Sequence, residues 1–298
     1  MDGQRVIGVD LGGTKILAGI VDRDGRVERR REHPTPVTSP DELLAGLDAS
    51  VQELLGDDIA AIGFGIPSPI DQRTGRAQLA VNIPLDESVP FRDRMAERFG
   101  LPVGIENDAN AATYAEFHFG AAREAQTTVM LTLGTGCGGG AVLDGKLYRG
   151  WAEFGHMVIV YDGLPCQGAC TGRGHLEPYV TGVAATKLAQ EVFGPAVDSH
   201  RLVRLADEGE QRAIEILDGI GRRLGAGIGT LVNIFNPELV VIGGGFAAAG
   251  DFILDPAREI VAREGLAGAG ERVRIVRAEL GTAAGLIGAA LVAFDALG

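Results

Sequence analysis

Residues 6–21 read VIGVDLGGTKILAGIV, and this stretch indicates how the chain begins to fold. The β-branched run 6–9 and the apolar run 15–21 each predict a strand, and the glycine-rich turn 10–14 joins them. Because glycine lacks a Cβ and accepts positive φ, such a turn lets a phosphate approach backbone N–H groups. The stretch therefore predicts a hairpin able to bind phosphate.

The same plan returns later in the chain. It comprises a predicted strand at 127–133, a glycine turn at 134–140 and the start of another strand at 141–143. Asp-Gly turn signals close both hairpins, at 24–25 and at 144–145. We therefore expect two related halves.

Strands and helices alternate over the rest of the chain. Helical spacing of apolar residues is found at 40–55, 91–99, 107–119, 184–192, 211–235 and 282–296. Further strands are predicted at 59–64, 103–105 and 239–242, with a loop at 65–71. This alternation indicates an α/β protein rather than a helix bundle or a β-sandwich.

Composition excludes several classes of protein. The 298 residues are 46% hydrophobic and carry a net charge of −13, which disfavours general binding to nucleic acid or anionic membranes. The sequence contains no apolar run long enough to span a bilayer and no signal-peptide pattern. Three cysteines suit free thiols in a reducing compartment, so we expect a cytoplasmic enzyme.

The glycine loops do not fit the commonest nucleotide-binding motifs. GxxxxGK[ST] is absent, as is the set of motifs typical of protein kinases. Residues 134–139 match GxGxxG, but a dinucleotide loop must open a helix, and AVLDGKLYRG, which follows, predicts strand and turn. The alternative is that these glycines only form tight turns. A third glycine cluster at 243–245, together with the two-fold plan, favours phosphate binding.

Several motifs in register carry a resemblance to a known family. DLGGTK (10–15), ENDANAA (106–112), LGTGCGGG (133–140), EFGH (153–156) and GRGHLE (172–177) resemble the ROK family of sugar kinases and related repressors. The resemblance covers nearly the whole chain. It implies an actin-like ATPase (ribonuclease H-like) fold with two duplicated α/β domains around a cleft. We expect domains at 1–118, completed by the C-terminal helix 283–298, and at 119–282.

The resemblance implies that Asp108 is the general base of a phosphoryl transfer. The alternative is that Asp108 only caps the helix that follows strand 103–105, although Asn107 could cap that helix as well. Asp10 ends the first strand beside the phosphate turn, where it can hold hydrated Mg²⁺.

Contacts to ATP are predicted at the glycine loops. They are Asp10, Gly12, Gly13, Thr14, Lys15, Gly134, Thr135, Gly136, Gly243 and Gly244. Lys15 is the weakest of them, because a solvated strand lysine would look the same in the sequence.

Contacts to the sugar follow from the resemblance. They are Asn107, Asp108, Glu153, His156 and Glu177, with Asn82, Gly65 and Ser68 as weaker candidates. Carboxylates and amides suit sugars because vicinal hydroxyls can donate to two oxygens at once.

Four of the chain's histidines and cysteines fall between residues 156 and 175. His156, Cys166, Cys170 and His175 form a Cys₂His₂ set, typical of structural zinc. The family typically has C-x-C-G-x-x-G-C-x-E after its histidine. Here two extra residues separate the first cysteines, and His175 replaces the third. The alternative is two buried thiols and two ordinary histidines, and we expect Cys137 to be a packing residue.

We expect an ATP-dependent hexose kinase of the ROK type that phosphorylates the 6-hydroxyl, with D-glucose the first candidate. Fructose, mannose and N-acetylhexosamines remain alternative substrates, and polyphosphate an alternative donor. A sugar-sensing regulator is disfavoured, because only nine residues precede Asp10 and leave no space for a DNA-binding domain. We also expect a homodimer or a larger homo-oligomer, with no nucleic-acid or membrane partner.

Overall fold

The computed structural model describes residues 4–78, 83–168 and 170–298. The chain divides into two compact units, which are treated separately below. Unit 1 comprises residues 1–123, 147–151 and 282–298, and unit 2 comprises residues 124–146 and 152–281. The predicted domain boundaries at 118/119 and 282/283 stay a prediction.

The strands, in chain order, are β1 (Arg5–Leu11), β2 (Lys15–Asp22), β3 (Val27–Pro34), β4 (Ile59–Ile66), β5 (Ile70–Asp71), β6 (Arg76–Ala77), β7 (Val103–Asn107), β8 (Thr128–Leu133), β9 (Cys137–Leu143), β10 (Lys146–Leu147), β11 (Leu239–Gly243) and β12 (Arg274–Arg277). The α-helices are α1 (Pro40–Gln52), α2 (Phe91–Phe99), α3 (Asp108–Phe119), α4 (Glu177–Val180), α5 (Gly182–Phe193), α6 (Ser199–Asp207), α7 (Gln211–Phe235), α8 (Asp251–Glu264), α9 (Ala269–Arg272) and α10 (Ala284–Asp295). Across the described residues, every helix is too short or too polar to cross a bilayer.

The sheet of unit 1 has the strand order β3-β2-β1-β4-β7. The first three strands form an antiparallel meander, and β4 and β7 lie parallel to β1. Short β-branched and aliphatic runs such as VIGV in β1 are buried, as expected for strands covered on both faces.

A row of glycines allows α10 to pack directly on this sheet. Gly19, Gly8, Gly63 and Gly104 are paired in register across β2, β1, β4 and β7. A Cβ at Gly8, Gly63 or Gly104 would collide with the backbone of α10. The C-terminal helix therefore belongs to the core of unit 1, because the missing side chains permit its close approach.

The sheet of unit 2 repeats this order as β10-β9-β8-β11-β12. Again β8 and β9 are antiparallel, and β11 and β12 run parallel to β8. The long helix α7 packs against α8, where Gly221 and Gly225 lie against the α8 backbone. The two related halves expected from the hairpins are thus present in the sheet topology.

Some boundaries predicted from the sequence are wrong. The second glycine turn is confined to residues 134–136, because Cys137–Gly140 already pair with β8 as part of β9. The predicted loop 65–71 is shorter, since β4 continues to Ile66 and Ile70–Asp71 form β5. Strand β3 was not predicted, because its sequence VERRREHP is polar and mostly exposed. Helices α6 and α8 and strand β12 were missed as well.

Candidate active site

The glycine hairpin of unit 1 presents its backbone at the surface. The turn between β1 and β2 closes with the Gly12 N–H donating to the Lys15 carbonyl at 2.9 Å. Thr35 directly follows β3, and its hydroxyl donates to the Gly12 carbonyl at 2.7 Å. This hydrogen bond holds the turn between β1 and β2 in place. Gly13 and Thr14 are exposed, so backbone groups of this turn are accessible to a ligand.

Asp10 lies beside this turn, at the end of β1. Gly285 at the start of α10 packs against the Asp10 carboxylate, where a Cβ would collide with it. Burial raises the pKa of Asp10 to about 6, and the charge of Lys15 opposes the rise. A carboxylate at this point suits Mg²⁺, since bound cation would favour the ionised form that supplies hard oxygen ligands.

The Lys15 ammonium pairs with the Glu32 carboxylate of β3 at 3.0 Å. Both side chains are about half exposed. This geometry matches the alternative of a solvated strand lysine more closely than a lysine held at the phosphate turn.

Asp108 is the first residue of α3, directly after β7. The helix is capped by Asn107, whose Oδ1 accepts the backbone N–H groups of Ala109 and Asn110, each at 3.0 Å. The Asp108 carboxylate accepts the Ala109 N–H at 2.8 Å. Asn107 therefore provides the cap, as the sequence allowed.

The weaker sugar candidates of unit 1 lie next to this junction. A Cβ at Gly65 would sit 3.6 Å from the Cα of Asp108, so β4 passes close to the base. Ser68 is buried, its hydroxyl donates to the Pro69 carbonyl, and its own carbonyl accepts from Asn107 Nδ2 at 3.4 Å. Asn82, the third of these candidates, lies outside the described residues.

The glycine hairpin of unit 2 is tied to a predicted sugar contact. The Gly134 N–H donates to the Gly136 carbonyl at 2.9 Å and closes the turn between β8 and β9. The Cys137 N–H donates to Glu177 Oε2 at 2.8 Å. Glu177, the first residue of α4, thus holds the end of this turn.

A cavity of about 720 Å³ opens beside this hairpin within unit 2. Gly134 and Thr135 form part of its wall, with Gly245 at the start of the 3₁₀ helix Gly245–Ala249. Gly243 and Gly244 lie close against β8: a Cβ at Gly243 would meet the Met130 side chain, and one at Gly244 the Leu133 backbone. Their contact with ATP stays a prediction.

The cavity also holds residues that sequence reasoning missed. Three are basic side chains on α5 and α6: Lys187, His200 and Arg204. Helix α6 was not predicted, so no sequence signal joined these residues to the hairpin.

The four predicted metal ligands lie together. One donor atom from each of His156, Cys166, Cys170 and His175 lies within 4.8 Å of the others. Cys170 Sγ is 3.7 Å from His175 Nδ1, close to the spacing of two ligands on one tetrahedral zinc. Two thiols and two imidazoles are the donor chemistry that zinc prefers, so these residues fit the ion.

Tight backbone turns bring these ligands together. Gly168 and Gly174 have φ of 60° and 72°, which favours glycine, and isolated bridges pair Val158 with His175 and Pro165 with Arg173. Burial raises the pKa of the Cys166 thiol to about 11. A metal would have to displace that proton.

Glu153 stands behind this cluster. Its carboxylate is 3.6 Å from His156 Nδ1, an arrangement typical of carboxylates that orient metal-bound histidines. Burial raises the pKa of Glu153, Glu177 adds to the rise and His156 opposes it. Cys137 is 3% exposed and its thiol pKa is raised by burial, in keeping with a packing residue.

Comparison with known proteins identifies the family. Residues 6–296 match the profile of the ROK family. The chain belongs to the ROK family. This ROK protein is 35% identical to the glucokinase of Streptomyces coelicolor, over 95% of this chain and 96% of that one. It is 32% identical to the glucokinase of Thermotoga maritima, over 99% and 98% of the two chains.

The fold agrees with solved ROK structures. The structure of a ROK family glucokinase from Streptomyces griseus in complex with glucose and AMPPNP superposes with a TM-score of 0.85 and 34% identity. The match covers 98% of this ROK chain and 99% of that chain. The predicted family and the predicted α/β, actin-like ATPase fold are confirmed.

Proposed function

We propose that this ROK protein is a glucokinase, which transfers the γ-phosphoryl group of ATP to the 6-hydroxyl of D-glucose. The observation that carries the proposal is its full-length likeness to glucokinases, including one that binds glucose and an ATP analogue. The residues described above supply the groups that such a transfer requires.

Asp108 acts as the general base. Its carboxylate takes the proton of the 6-hydroxyl as that oxygen forms a bond to the γ-phosphorus and the bond to the ADP oxygen breaks. Asn107 supports this role, because it supplies the helix cap. The backbone N–H of Ala109, which donates to the Asp108 carboxylate, helps to fix its orientation.

The glycine turns hold the nucleotide. Backbone groups of Gly12, Gly13 and Thr14, and of Gly134, Thr135 and Gly136, contact the phosphates, because the glycines of each turn have no Cβ to obstruct the backbone. Bound Mg²⁺ would neutralise phosphate charge, and Asp10 is the residue placed to hold its hydration shell. The cavity of unit 2 takes the nucleoside, since it adjoins Gly134 and Thr135.

The proposed sugar contacts are carboxylates, an amide and an imidazole. Asn107 and Asp108 come from unit 1, and Glu153, His156 and Glu177 from unit 2. Glu177 has one oxygen engaged by Cys137 N–H, which fixes its carboxylate for contact with hydroxyls. Gly65 and Ser68 act through the backbone around Asp108 and Asn107.

Zinc held by His156, Cys166, Cys170 and His175 has a structural role. The ion would order the segment between Glu153 and Glu177, which carries both of these sugar contacts at its ends. His156 Nδ1 lies 3.6 Å from the Glu153 carboxylate, an arrangement typical of metal-bound histidines.

A coupled assay tests the proposal. Formation of the sugar phosphate is measured with glucose, mannose, fructose, N-acetylglucosamine and N-acetylmannosamine, each with ATP and with polyphosphate. We expect the highest kcat/KM for glucose with ATP, and Asp108→Asn as the matched inactive control for each sugar. Higher kcat/KM for another hexose would reassign the substrate, and turnover dependent on polyphosphate alone would reassign the donor.

A further inference from the structure

A buried carboxylate closely precedes the proposed base in the chain. Glu106 is the fourth residue of β7, two positions before Asp108, and it is 2% exposed. Carboxylates are rarely this buried unless they are paired. Glu106 opens the motif ENDANAA, but the proposed mechanism gives this residue no role.

Donors converge on Glu106 from several directions. Oε1 accepts the Asn107 backbone N–H at 3.0 Å and Asn110 Nδ2 at 3.1 Å. Oε2 accepts Gln72 Nε2 at 3.0 Å and lies 3.3 Å from Arg149 Nε. Only an acceptor without protons of its own satisfies all these donors, so the site requires an ionised carboxylate.

The contacts of Glu106 bracket Asp108. Asn107 precedes the base and Asn110 follows it, and both donate to the same Glu106 oxygen. Asn107 also caps α3, so its backbone position sets the first helical turn. The carboxylate of Glu106 therefore holds the first turn of α3 both before and after Asp108.

Arg149 is the charged partner of this carboxylate. It belongs to residues 147–151, a short stretch of unit 1 between two stretches of unit 2. Its guanidinium is 43% exposed and also bonds Asp295 of α10 at 3.0 Å. The side chain covers Glu106 and links β7 to α10.

We propose that the Glu106–Arg149 pair is a positioning device for Asp108 and Asn107, and that Arg149 keeps Glu106 in the acceptor form this task needs. The proposal rests on the proposed function, because Asp108 is the base there. Glu106 and Arg149 act through the first turn of α3, without touching the reacting atoms.

The charges around the pair set the expected pH response. Burial raises the pKa of Glu106, whereas Asn110, Asn107 and Arg149 lower it. Asp108 follows in α3, Arg92 of α2 donates to the Gln72 carbonyl, and Asp295 faces Arg149 with Tyr114 beside it. Without Arg149 the pKa of Glu106 rises further, so Glu106 should become protonated at a higher pH than in the wild type. When the pH is lowered, the variant should therefore lose activity before the wild type does.

Turnover of the full-length enzyme is measured between about pH 6 and pH 9 for Arg149→Gln, Arg149→Lys and the control Asp295→Asn. We expect Arg149→Gln to lower kcat about tenfold near neutral pH, to shift its acid limb upward and to recover at high pH. Arg149→Lys keeps a charge and should restore most of the loss. Asp295→Asn leaves the Glu106 contact in place and should match the wild type.

A double-mutant cycle separates positioning from stability. Glu106→Gln should lower kcat about tenfold at every pH, and adding Arg149→Gln should cost little more. The double variant carries no unpaired buried charge, so it should fold even where Arg149→Gln alone does not. Wild-type kcat in the folded double variant, or an unshifted acid limb in a folded Arg149→Gln, overturns the proposal.

Asp108→Asn, measured in parallel, keeps the two proposals apart. An inactive Asp108→Asn beside a fully active double variant rejects the positioning role alone. Wild-type turnover in Asp108→Asn rejects the base assignment, and with it the positioning of that base.

Discussion

The two units have the same sheet and different chemistry. Strands β3-β2-β1-β4-β7 correspond in order to β10-β9-β8-β11-β12, and in both sheets an antiparallel hairpin (β1-β2 or β8-β9) is followed by two parallel strands. The Asp-Gly turns agree in detail as well, since Gly25 and Gly145 have φ of 77° and 75°. The two units are therefore more similar in fold than in amino-acid sequence.

The glycine hairpins show where the halves diverge. The first strand of unit 1 ends in Asp10-Leu11, and the matching strand of unit 2 ends in Thr132-Leu133. A carboxylate with a raised pKa lies beside one turn, and a cavity of about 720 Å³ adjoins the other. On the proposed function, unit 1 supplies the base and the carboxylate that holds hydrated Mg²⁺, and unit 2 supplies the nucleoside cavity and the zinc cluster.

The largest effect is expected from Asp108→Asn in unit 1. The amide cannot accept the hydroxyl proton, so kcat should fall by ~10²–10⁴ while KM for glucose changes little. Steady-state kinetics with a melting curve to verify folding measure both quantities.

Asp93→Asn is the matched control, because Asp93 lies in the first turn of α2 as Asp108 does in α3. It should leave kcat unchanged. Near-wild-type turnover in a folded Asp108→Asn would show that Asp108 is not the general base.

The next largest effect concerns the zinc cluster, which has no counterpart in unit 1 among the described residues. Cys170→Ser or His175→Ala should abolish zinc binding, raise the glucose KM and lower the melting temperature by several degrees, with less effect on the ATP KM. Metal analysis of the purified protein gives the zinc content.

Two variants sharpen this test. Cys137→Ala changes a cysteine outside the cluster and should keep about one zinc per chain. His175→Cys supplies a thiolate instead of the imidazole and should also keep the metal. Unaltered zinc content in His175→Ala, or none in the wild type, would show that the ligand assignment is wrong.

The apolar periodicity was sufficient to predict most of the fold. Helices α2 and α7 begin and end where the sequence placed them, because each has a regular apolar face and a clear terminus such as Gly100 or Asn236. Strand β3 was not predicted, because VERRREHP is held by backbone pairing to β2 and buries few side chains. The glycine row under α10 was also invisible, since its members are far apart in sequence and meet only across the sheet.

The candidate site was predictable where neighbouring residues carry it. The Asn107 cap and the clustered Cys₂His₂ set follow from short spacings. The partners of Glu106 could not be predicted, because Gln72 and Arg149 reach it from distant loops. Similarly, Lys187 and Arg204 join the cavity only once α5 and α6 are packed together.

A smaller effect is expected at the hairpin of unit 2, where two glycines can be compared. A Cβ at Gly134 would have its nearest neighbour, the Gly136 carbonyl oxygen, at 3.9 Å, so Gly134→Ala fits the free protein. If phosphate approaches this turn, the ATP KM should rise about tenfold with the glucose KM unchanged.

Gly136→Ala should behave differently. Its Cβ would lie 2.7 Å from Glu177 Oε2, so the carboxylate must move and the glucose KM should rise together with the ATP KM. Equal effects of the two variants on glucose would contradict the link between Glu177 and the turn, and an unchanged ATP KM in both would remove the turn from phosphate binding.

The smallest effect is expected at Lys15, the charged residue of the unit 1 hairpin. Its ammonium already pairs with Glu32, and exposed pairs of this kind contribute about 0.2–1 kcal/mol. Lys15→Ala should therefore change the ATP KM by less than about fivefold and the free energy of unfolding by at most about 1 kcal/mol. Glu32→Gln removes the same pair from the other side and should change stability by a similar amount in urea titrations.

If Lys15 instead leaves Glu32 to bind phosphate, Lys15→Ala should raise the ATP KM more than about tenfold while Glu32→Gln does not. In that case the first hairpin would bind phosphate through a side chain. The second hairpin, with Thr135 at its tip, would bind phosphate through its backbone.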